Sequence, residues 1–351
     1  MITNRKETKT VHVGHASIGG ENHITVQSMT NTDTKDIFST TVQIRELVSA
    51  GCEIVRIALY DIECVEAFRE LRKAFHDVPL VGDIHFDYKI ALKAIESGID
   101  KIRLNPGNID TEWKIHEIVK AAKEKGIPIR VGANSGSINK RFMHLSKVEA
   151  LVESALEQVQ ILEKYEFEDI VIAVKSSCPL ETIQANEQLS SKTQHPLHLG
   201  VTEAGPLRQS LIKSTIALNH LLQNGIGDTL RYSISGDPVE EVLAGHQLLM
   251  SLGLREGVNL ISCPTCARTE IDMEEYTSRV SEMIQGIKKP LTIAIMGCVV
   301  NGMGEGKHAD LGIAGTKNGG VIFKKGEIFG KFNRENLFVV FEKELKKLIN
   351  E

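Results

Sequence analysis

The chain has 351 residues, of which 46 are acidic and 41 are Lys or Arg, so its formal net charge is -5 at pH 7. Its 42% hydrophobic and 25% charged residues are ordinary for a globular protein, and it lacks the basic excess of a nucleic-acid-binding surface. The opening MITNRKETKTVHVG has no apolar signal-peptide core, and no run of about 18 apolar residues follows, so we expect a cytoplasmic protein without a membrane span. The length predicts about two domains.

Short β-branched runs alternate with amphipathic helical segments from about residue 25 to residue 252. The predicted strands are ITVQSM, EIVRIAL, PLVGDIHF, KIRLNPG, PIRVGANSG, DIVIAVKSS, PLHLGVTEAG and DTLRYSISG. The predicted helices are Thr34–Ala50, Ile62–Phe75, Tyr88–Ser97, Thr111–Lys125, Lys147–Tyr165, Leu180–Ser191, Pro206–Asn224 and Pro238–Ser251. This alternation predicts parallel βα units, and eight such units indicate a (β/α)8 TIM barrel.

The remainder of the chain follows a different pattern. SLGLREGV is predicted to be a linker because two glycines interrupt the helical periodicity. After it we predict strands in NLIS, LTIAIM, LGIAG and GGVIFKKGEIFG, with helices over Ile271–Ile287 and Glu335–Asn350. The fold class is therefore α/β, with a substrate-binding barrel domain over residues 1–255 and a small α+β domain over residues 256–351.

Arginine interrupts four of the eight predicted barrel strands. These residues are Arg56, Arg103, Arg130 and Arg231. A buried guanidinium group is costly unless an anion or several acceptors surround it, and any one of the four could pair with a barrel carboxylate. Four together favour a shared ligand. Because guanidinium forks match phosphate oxygens, we predict a small substrate that carries more than one phosphate.

Other polar residues fall near the predicted C-terminal strand ends, where barrel enzymes place their chemistry. The candidate substrate contacts among them are Asp83, His85, Asn105, Asn134, Lys175 and Ser233. His85 could equally be a core histidine, and Lys175 could be a Schiff-base nucleophile rather than one cation among several. Glu203 is a carboxylate in a setting otherwise suited to anions, which favours a proton-transfer role; a salt bridge to an arginine is the alternative.

Three of the six cysteines form a pattern. Cys263 and Cys266 have C-x-x-C spacing in CPTC, and Cys298 follows in a glycine-rich turn, MGCVVNGMGEG. The scattered Cys52, Cys64 and Cys178 are expected to be packed or inert thiols. A dithiol redox centre would not need Cys298, and structural zinc prefers four closed ligands, so three thiolates plus one further ligand favour a 4Fe-4S cluster.

This reasoning does not identify the fourth ligand of the cluster. Solvent, substrate, Glu305 or His308 could supply it. A glutamate oxygen would be a hard and weakly held ligand on a soft sulfur-bridged iron, and hence an exchangeable one.

The motifs CPTC, MGCVVNGMGE, RLNPGN, GANSGS and GVTEAG together closely resemble the bacterial 4-hydroxy-3-methylbut-2-enyl diphosphate synthase family of the methylerythritol phosphate route to isoprenoids, over nearly the whole chain. The resemblance implies a barrel similar to dihydropteroate synthase, followed by a domain similar to sulfite and nitrite reductase modules. It also implies reductive ring opening of 2-C-methyl-D-erythritol 2,4-cyclodiphosphate to the linear allylic diphosphate.

The same resemblance implies cluster ligation by Cys263, Cys266, Cys298 and Glu305, with Glu305 as the ligand that exchanges during catalysis. It further implies a head-to-tail homodimer and electron delivery by flavodoxin or ferredoxin. Two rival functions remain at this point: a Schiff-base sugar-phosphate aldolase that uses Lys175, and a non-catalytic iron-sulfur carrier or sensor.

Overall fold

The computed structural model describes residues 5–84, 87–105, 109, 111–136, 138, 140–300, 304 and 306–350. Two predicted site residues, His85 and Glu305, lie outside this set. The chain divides into two compact units, Met1–Leu254 and Arg255–Glu351, one residue before the predicted boundary. None of the described helices combines the length and apolar character that crossing a bilayer requires.

The first unit contains an eight-stranded parallel sheet. Its strands are β3 (Thr25–Met29), β4 (Ile54–Ala58), β5 (Leu80–Asp83), β6 (Lys101–Arg103), β7 (Ile129–Asn134), β8 (Ile170–Lys175), β9 (His198–Leu199) and β10 (Thr229–Leu230). They are hydrogen-bonded in the order β8-β7-β6-β5-β4-β3-β10-β9. A parallel bridge between Ile172 and Leu197 joins the two ends of this series, which closes the predicted TIM barrel.

Eight helices follow the strands. They are α1 (Ile37–Ser49), α2 (Ile62–Ala74), α3 (Tyr88–Glu96), α4 (Glu112–Lys125), α5 (Lys147–Glu163), α6 (Pro179–Lys192), α7 (Leu207–Gln223) and α8 (Pro238–Ser251). The predicted helices are thus confirmed, apart from the start of the first one. That prediction was wrong by three residues because the Asp36 side chain accepts a hydrogen bond from the Ser39 N–H, so the helix begins after Asp36 and not at Thr34.

An antiparallel hairpin that the sequence reasoning missed precedes the barrel. Its strands are β1 (Val11–Val13) and β2 (Ala16–Ile18). Val11, Val13 and Ile18 form one apolar cluster with Ile54, Val81 and Val171, which lie at or near the starts of barrel strands. The hairpin therefore seals the N-terminal end of the barrel, opposite the end where barrel enzymes carry their active sites.

The second unit is a mixed five-stranded sheet with two described helices. In chain order its elements are β11 (Val258–Ser262), α9 (Met273–Ile284), β12 (Leu291–Met296), β13 (Leu311–Thr316), β14 (Gly319–Lys324), β15 (Glu327–Asn333) and α10 (Arg334–Asn350). The sheet order is β11-β12-β13-β14-β15; the first three strands are parallel and the last three antiparallel. The predicted α+β pattern is confirmed.

Two apolar clusters stabilise this sheet. Tyr276 and Val280 of α9 and Phe338 and Phe341 of α10 pack in one cluster with residues of the strands. In the other, the Phe323 ring occupies the space that Gly306 and Gly312 leave open: a Cβ on either residue would lie within 2.5 Å of Phe323 ring atoms. The absence of side chains at these two glycines thus fits the aromatic ring.

Candidate functional site

Strand register brings the predicted cationic residues of the barrel together. Arg56 is the third residue of β4, Arg103 is the last residue of β6 and Arg130 is the second residue of β7, where it pairs in register with Arg103. Lys175 ends β8, and Arg231 directly follows β10. We call these five residues the anion site.

Asp83 lies between two of these arginines. Its carboxylate is 4.0 Å from Arg56 Nε and 3.6 Å from Arg103 Nη1, and β5 and β6 align Asp83 with Arg103 in register. Arg56 Nε also donates to the Met29 sulfur at 3.0 Å. Burial lowers the pKa of Arg56 to about 10, although Asp83 opposes that shift. The Asp83 carboxylate therefore forms ion pairs with the guanidinium groups of both Arg56 and Arg103.

Arg231 is the arginine with its own carboxylate. Its Nε and Nη2 donate to the two oxygens of Glu241 at 2.9 and 3.0 Å. Glu241, which is buried on α8, also accepts from the Ser28 hydroxyl at 2.7 Å and from the Ile234 N–H at 3.0 Å. From the sequence, any of the four arginines could pair with a carboxylate of the barrel. Arg231 does so.

Sequence reasoning missed Glu241 as a site residue. A signal was present, because the buried stripe of α8 includes Glu241, Val242, Gly245, Leu248 and Leu249 at helical spacing. A carboxylate on the apolar stripe of a helix requires a buried donor or cation as partner.

Arg130 and Lys175 provide positive charge that no ion pair within the described residues offsets. Both are buried, and burial together with the surrounding arginines lowers their pKa values well below the ordinary ones. The cations of the anion site number five, and in the described part of the chain Asp83 and Glu241 are carboxylates that form ion pairs with three of them. An anion of more than one charge would balance this excess.

The remaining barrel candidates lie at the same strand ends. Asn134 is the last residue of β7 and pairs in register with Lys175, and Asn105 lies buried two residues after β6. Ser233 lies near the end of β10, where its carbonyl accepts from the Ser210 hydroxyl at 2.9 Å. Glu203 is exposed, and its backbone has φ of 50°, a left-handed conformation uncommon for a residue with a side chain. Such strain is typical of functional sites.

The thiols of the second unit lie at the C-terminal ends of two neighbouring parallel strands. Cys263 directly follows β11, and Cys298 lies two residues after β12. The Gly297 N–H donates to the Cys263 sulfur at 3.0 Å, and the Gly297 carbonyl accepts from the Glu270 N–H at 2.8 Å. Cys298 is buried, whereas Cys263 is half-buried. The pairing of β11 with β12 thus brings Cys263 beside the residue that precedes Cys298.

Cys266 is exposed in the loop after β11. Its sulfur accepts a hydrogen bond from the Arg268 N–H at 3.4 Å, which lowers the pKa of the thiol. Within the described residues, no three His, Cys, Asp or Glu side chains lie close enough to hold a metal ion. Thiol sulfurs that accept backbone N–H bonds are nevertheless the environment in which iron-sulfur clusters are held, so the donor set fits such a group.

The other cysteines match the expectation of packed thiols. Cys52 and Cys64 are buried in the barrel core, and burial raises the pKa of Cys52 to about 12. Cys178 is half-buried at the N-terminus of α6. All three are free thiols. A protonated, buried thiol is a poor nucleophile and a poor metal ligand.

Relatives of known name cover 95% or more of this chain. The protein from Caldanaerobacter subterraneus subsp. tengcongensis named 4-hydroxy-3-methylbut-2-en-1-yl diphosphate synthase (flavodoxin) is 51% identical over 355 residues, which is 100% of each chain. The protein of the same name from Thermotoga maritima is 52% identical over 343 residues, 98% of each chain, and that from Clostridium perfringens is 52% identical over 340 residues, 95% of this chain and 97% of the relative.

The barrel also resembles solved structures of another enzyme. Dihydropteroate synthase from Xanthomonas albilineans aligns with a TM-score of 0.51 over 70% of this chain and 97% of its own, at 15% sequence identity. At that identity the likeness shows the fold alone, and it confirms the predicted similarity of the barrels.

Family models match both units. The GcpE TIM-barrel domain matches residues 8–246, and the GcpE protein C-terminal domain matches residues 259–347. Together with relatives of about 50% identity over the full length, these matches show that the chain belongs to the GcpE family, the 4-hydroxy-3-methylbut-2-en-1-yl diphosphate synthases.

Proposed function

We propose that this protein is an iron-sulfur oxidoreductase that opens and reduces 2-C-methyl-D-erythritol 2,4-cyclodiphosphate to 4-hydroxy-3-methylbut-2-enyl diphosphate with two electrons. The observation that carries the proposal is the anion site, in which five buried or half-buried cations face two carboxylates. Its excess charge suits a diphosphate. Family membership supports the reaction and flavodoxin as the electron donor.

In this proposal the anion site holds the diphosphate before and after ring opening. Arg130 and Lys175 supply charge that no ion pair among the described residues offsets, and Arg56 and Arg103 supply guanidinium forks that form ion pairs with Asp83. Because these groups are buried, each charged contact is worth more than it would be in water. Holding both phosphates also keeps the ring-opened molecule bound until its reduction is complete.

Uncharged groups orient the rest of the substrate. We assign Asn105, Asn134 and Ser233 to its oxygens, since all three lie at the same strand ends as the cations. His85 is assigned there by its place in the sequence alone. Glu203 is the proton donor for the leaving hydroxyl: its carboxylate is exposed, and its strained backbone holds the side chain at the strand end.

The second unit is the cofactor domain of the proposal. Cys263, Cys266, Cys298 and Glu305 would hold a 4Fe-4S cluster, which would supply electrons one at a time and Lewis acidity. The N–H groups of Gly297 and Arg268 donate to the sulfurs of Cys263 and Cys266. Glu305 would be the hard and most weakly held of these four ligands.

The proposal includes a cytoplasmic head-to-tail homodimer, as the resemblance implies, in which the second unit of one subunit serves the barrel of the other. Flavodoxin is the preferred donor and ferredoxin the alternative. Mixing Arg130→Met with Cys298→Ser, assayed at a substrate concentration well below the wild-type KM where both variants are nearly inactive, tests the dimer: recovery of up to about a quarter of the wild-type activity per subunit pair is expected, since random exchange restores one good site in half of the dimers. A lack of recovery, with subunit exchange demonstrated, would contradict it.

The function itself is tested on anaerobically purified protein. We expect a brown protein with broad absorption near about 400 nm, about four irons per chain, and turnover of the cyclic diphosphate with reduced flavodoxin. Colourless protein without iron would contradict the cofactor assignment. Covalent trapping of Lys175 by borohydride with a sugar phosphate would instead support the aldolase, and cluster reduction without turnover would support the carrier.

Glu305→Ala tests the fourth ligand. We expect the iron to be kept by three thiolates while the absorption spectrum changes and turnover falls. Glu335→Ala, which removes an exposed glutamate at the start of α10, is the matched control. An unchanged spectrum with full activity would remove Glu305 from the ligand set.

A further inference from the structure

Two buried side chains in the barrel interior do not belong to the anion site. Lys101 is 0% exposed and His198 is 1% exposed. Lys101 Nζ and both ring nitrogens of His198 have no hydrogen-bond partner in the described part of the chain. A buried polar group without a partner costs about 1–3 kcal/mol, so three such atoms in one barrel require an explanation.

Strand geometry puts both residues directly beneath the anion site. Lys101 lies two residues before Arg103 on β6, so the two side chains point to the same face. His198 likewise lies two residues before Gly200, and a Cβ on Gly200 would be only 2.8 Å from Lys175 Nζ. The face of β9 that carries His198 is therefore the face over which the Lys175 amine lies.

The neighbours of both residues are cations. Arg130 of β7 and Arg56 of β4 act on Lys101, and the same two arginines act on His198 together with Lys101 and Lys175 of β8. Within the described residues, neither Lys101 nor His198 forms an ion pair, and the carboxylates Asp83 of β5 and Glu241 of α8 form ion pairs with arginines of the anion site.

The strand on the other side of His198 offers no partner either. Thr229 of β10 lies opposite His198 in register. Its hydroxyl donates to the Thr25 carbonyl at 3.1 Å and accepts from the Gln27 amide at 2.8 Å and the Thr25 hydroxyl at 2.7 Å. The Thr229 hydroxyl thus already donates one hydrogen bond and accepts two, and the His198 imidazole faces the cations.

These surroundings disfavour the charged forms of both groups. Burial, followed by repulsion from Arg130, lowers the pKa of Lys101 well below its usual value, and burial with repulsion from Lys175 does the same to His198. A diphosphate bound in the anion site would raise the pKa values of Lys101 and His198, because it adds negative charge beside a group of cations.

We propose that Lys101 and His198 form a second layer of the anion site, uncharged in the free protein and protonated when the cyclic diphosphate binds. The inference rests on the proposed function. On binding, Lys101 Nζ and a ring nitrogen of His198 each take a proton from solvent. Neither residue touches the substrate; they are positioning residues that add charge behind Arg130 and Lys175 only when an anion is present to balance it.

The sign of the pH dependence follows from linkage. Binding raises the pKa values of the two groups, so protons are taken up at a pH between their free and bound pKa values, and affinity weakens as pH rises through that window. For one proton taken up per site, the Kd increases about tenfold per pH unit. The ligand does not contribute, because each phosphorus of a cyclic diphosphate has one strongly acidic oxygen, which remains ionised near neutral pH.

Titration calorimetry of the holoprotein with the cyclic diphosphate, in buffers of different ionisation enthalpy at pH 7 to 8, measures the protons taken up. We expect an uptake of about one to two protons for the wild type. Lys101→Met and His198→Gln should each reduce the uptake, and the double variant should abolish it. Lys120→Met and His116→Gln, which change exposed residues of α4, are matched controls and should leave it unchanged.

The outcomes separate the two proposals. Binding without proton uptake, or uptake that persists in a folded double variant and thus belongs to Lys175, would overturn the second layer and leave the proposed function intact. Failure of the wild type to bind the cyclic diphosphate would overturn the proposed function as well. If the variants do not fold, ring-nitrogen NMR of wild-type His198 decides: a neutral ring that becomes doubly protonated on binding supports the inference, and an unchanged ring overturns it.

Discussion

The barrel and the C-terminal unit hold their candidate site residues in different ways. The cations of the anion site lie on or next to strands, where register aligns them and where the buried carboxylates Asp83 and Glu241 form ion pairs with the arginines Arg103 and Arg231. Cys266 and Cys298 lie in loops after the strand ends, and within the described residues no three ligand-type side chains are close enough for a metal ion. A site on strands is pre-arranged, whereas a thiol site on loops gains much of its order from the metal it binds.

Cys298→Ser should have the largest effect, because it removes the one cluster thiol that follows β12. We expect iron content to fall markedly and turnover to drop below about one thousandth of the wild type, since the cofactor carries the redox chemistry. Iron analysis and the flavodoxin-coupled assay measure both. Cys178→Ser, a half-buried thiol of the barrel unit, is the control and should change neither. Full iron content in Cys298→Ser would contradict the ligand assignment.

Glu241→Gln tests whether the barrel site is held by its own carboxylates. Removing this charge leaves Arg231 buried without its ion pair, which should lower the free energy of unfolding by about 3 kcal/mol. Denaturant titration measures the loss, and Glu46→Gln, on the exposed face of α1, is the control. Unchanged stability would mean that the anion site does not depend on internal ion pairs, and the contrast with the thiol site would disappear.

Arg130→Met tests the excess charge of the anion site. Because Arg130 forms no ion pair within the described residues, its loss should weaken substrate binding without unfolding the barrel. We expect KM to rise about 30-fold with a smaller change in kcat, as for loss of a buried charged contact to an anion. Arg45→Met removes an exposed arginine of α1 and should leave KM unchanged. A normal KM in Arg130→Met would make this arginine structural.

Gly312→Ala should have the smallest effect and should be confined to the second unit. Its Cβ would lie 2.1 Å from Phe323 ring atoms, so overpacking should cost about 1–2 kcal/mol. Amide exchange should accelerate in residues 306–350 while barrel amides keep their protection. Adding Phe323→Leu should restore part of the lost stability, because the smaller side chain makes room for the methyl group. Faster exchange throughout the barrel would contradict separate cores.

Much of the architecture could be predicted from local patterns. Alternating apolar runs and helical periodicity predicted the bounds of β12 and α8 correctly to the residue. The starts of both elements carry strong signals: Pro290 precedes β12, and Asp237 with Pro238 starts α8. The first hairpin was missed because three-residue strands produce too little alternation to detect. The start of α1 was misplaced because Thr34 and Asp36 are both plausible capping residues, and only the structure distinguishes them.

The sequence by itself determined which residue types converge at each site, since arginines within apolar strands and a C-x-x-C with a third cysteine reflect chemical needs that local sequence expresses. Tertiary structure decided how those charges are shared. It joined Glu241 to Arg231, set Asp83 between Arg56 and Arg103, and gave Lys101 Nζ and the His198 ring no hydrogen-bond partner among the described residues. Such pairings depend on strand register and helix packing across distant parts of the chain, and a linear sequence does not specify distances of that kind.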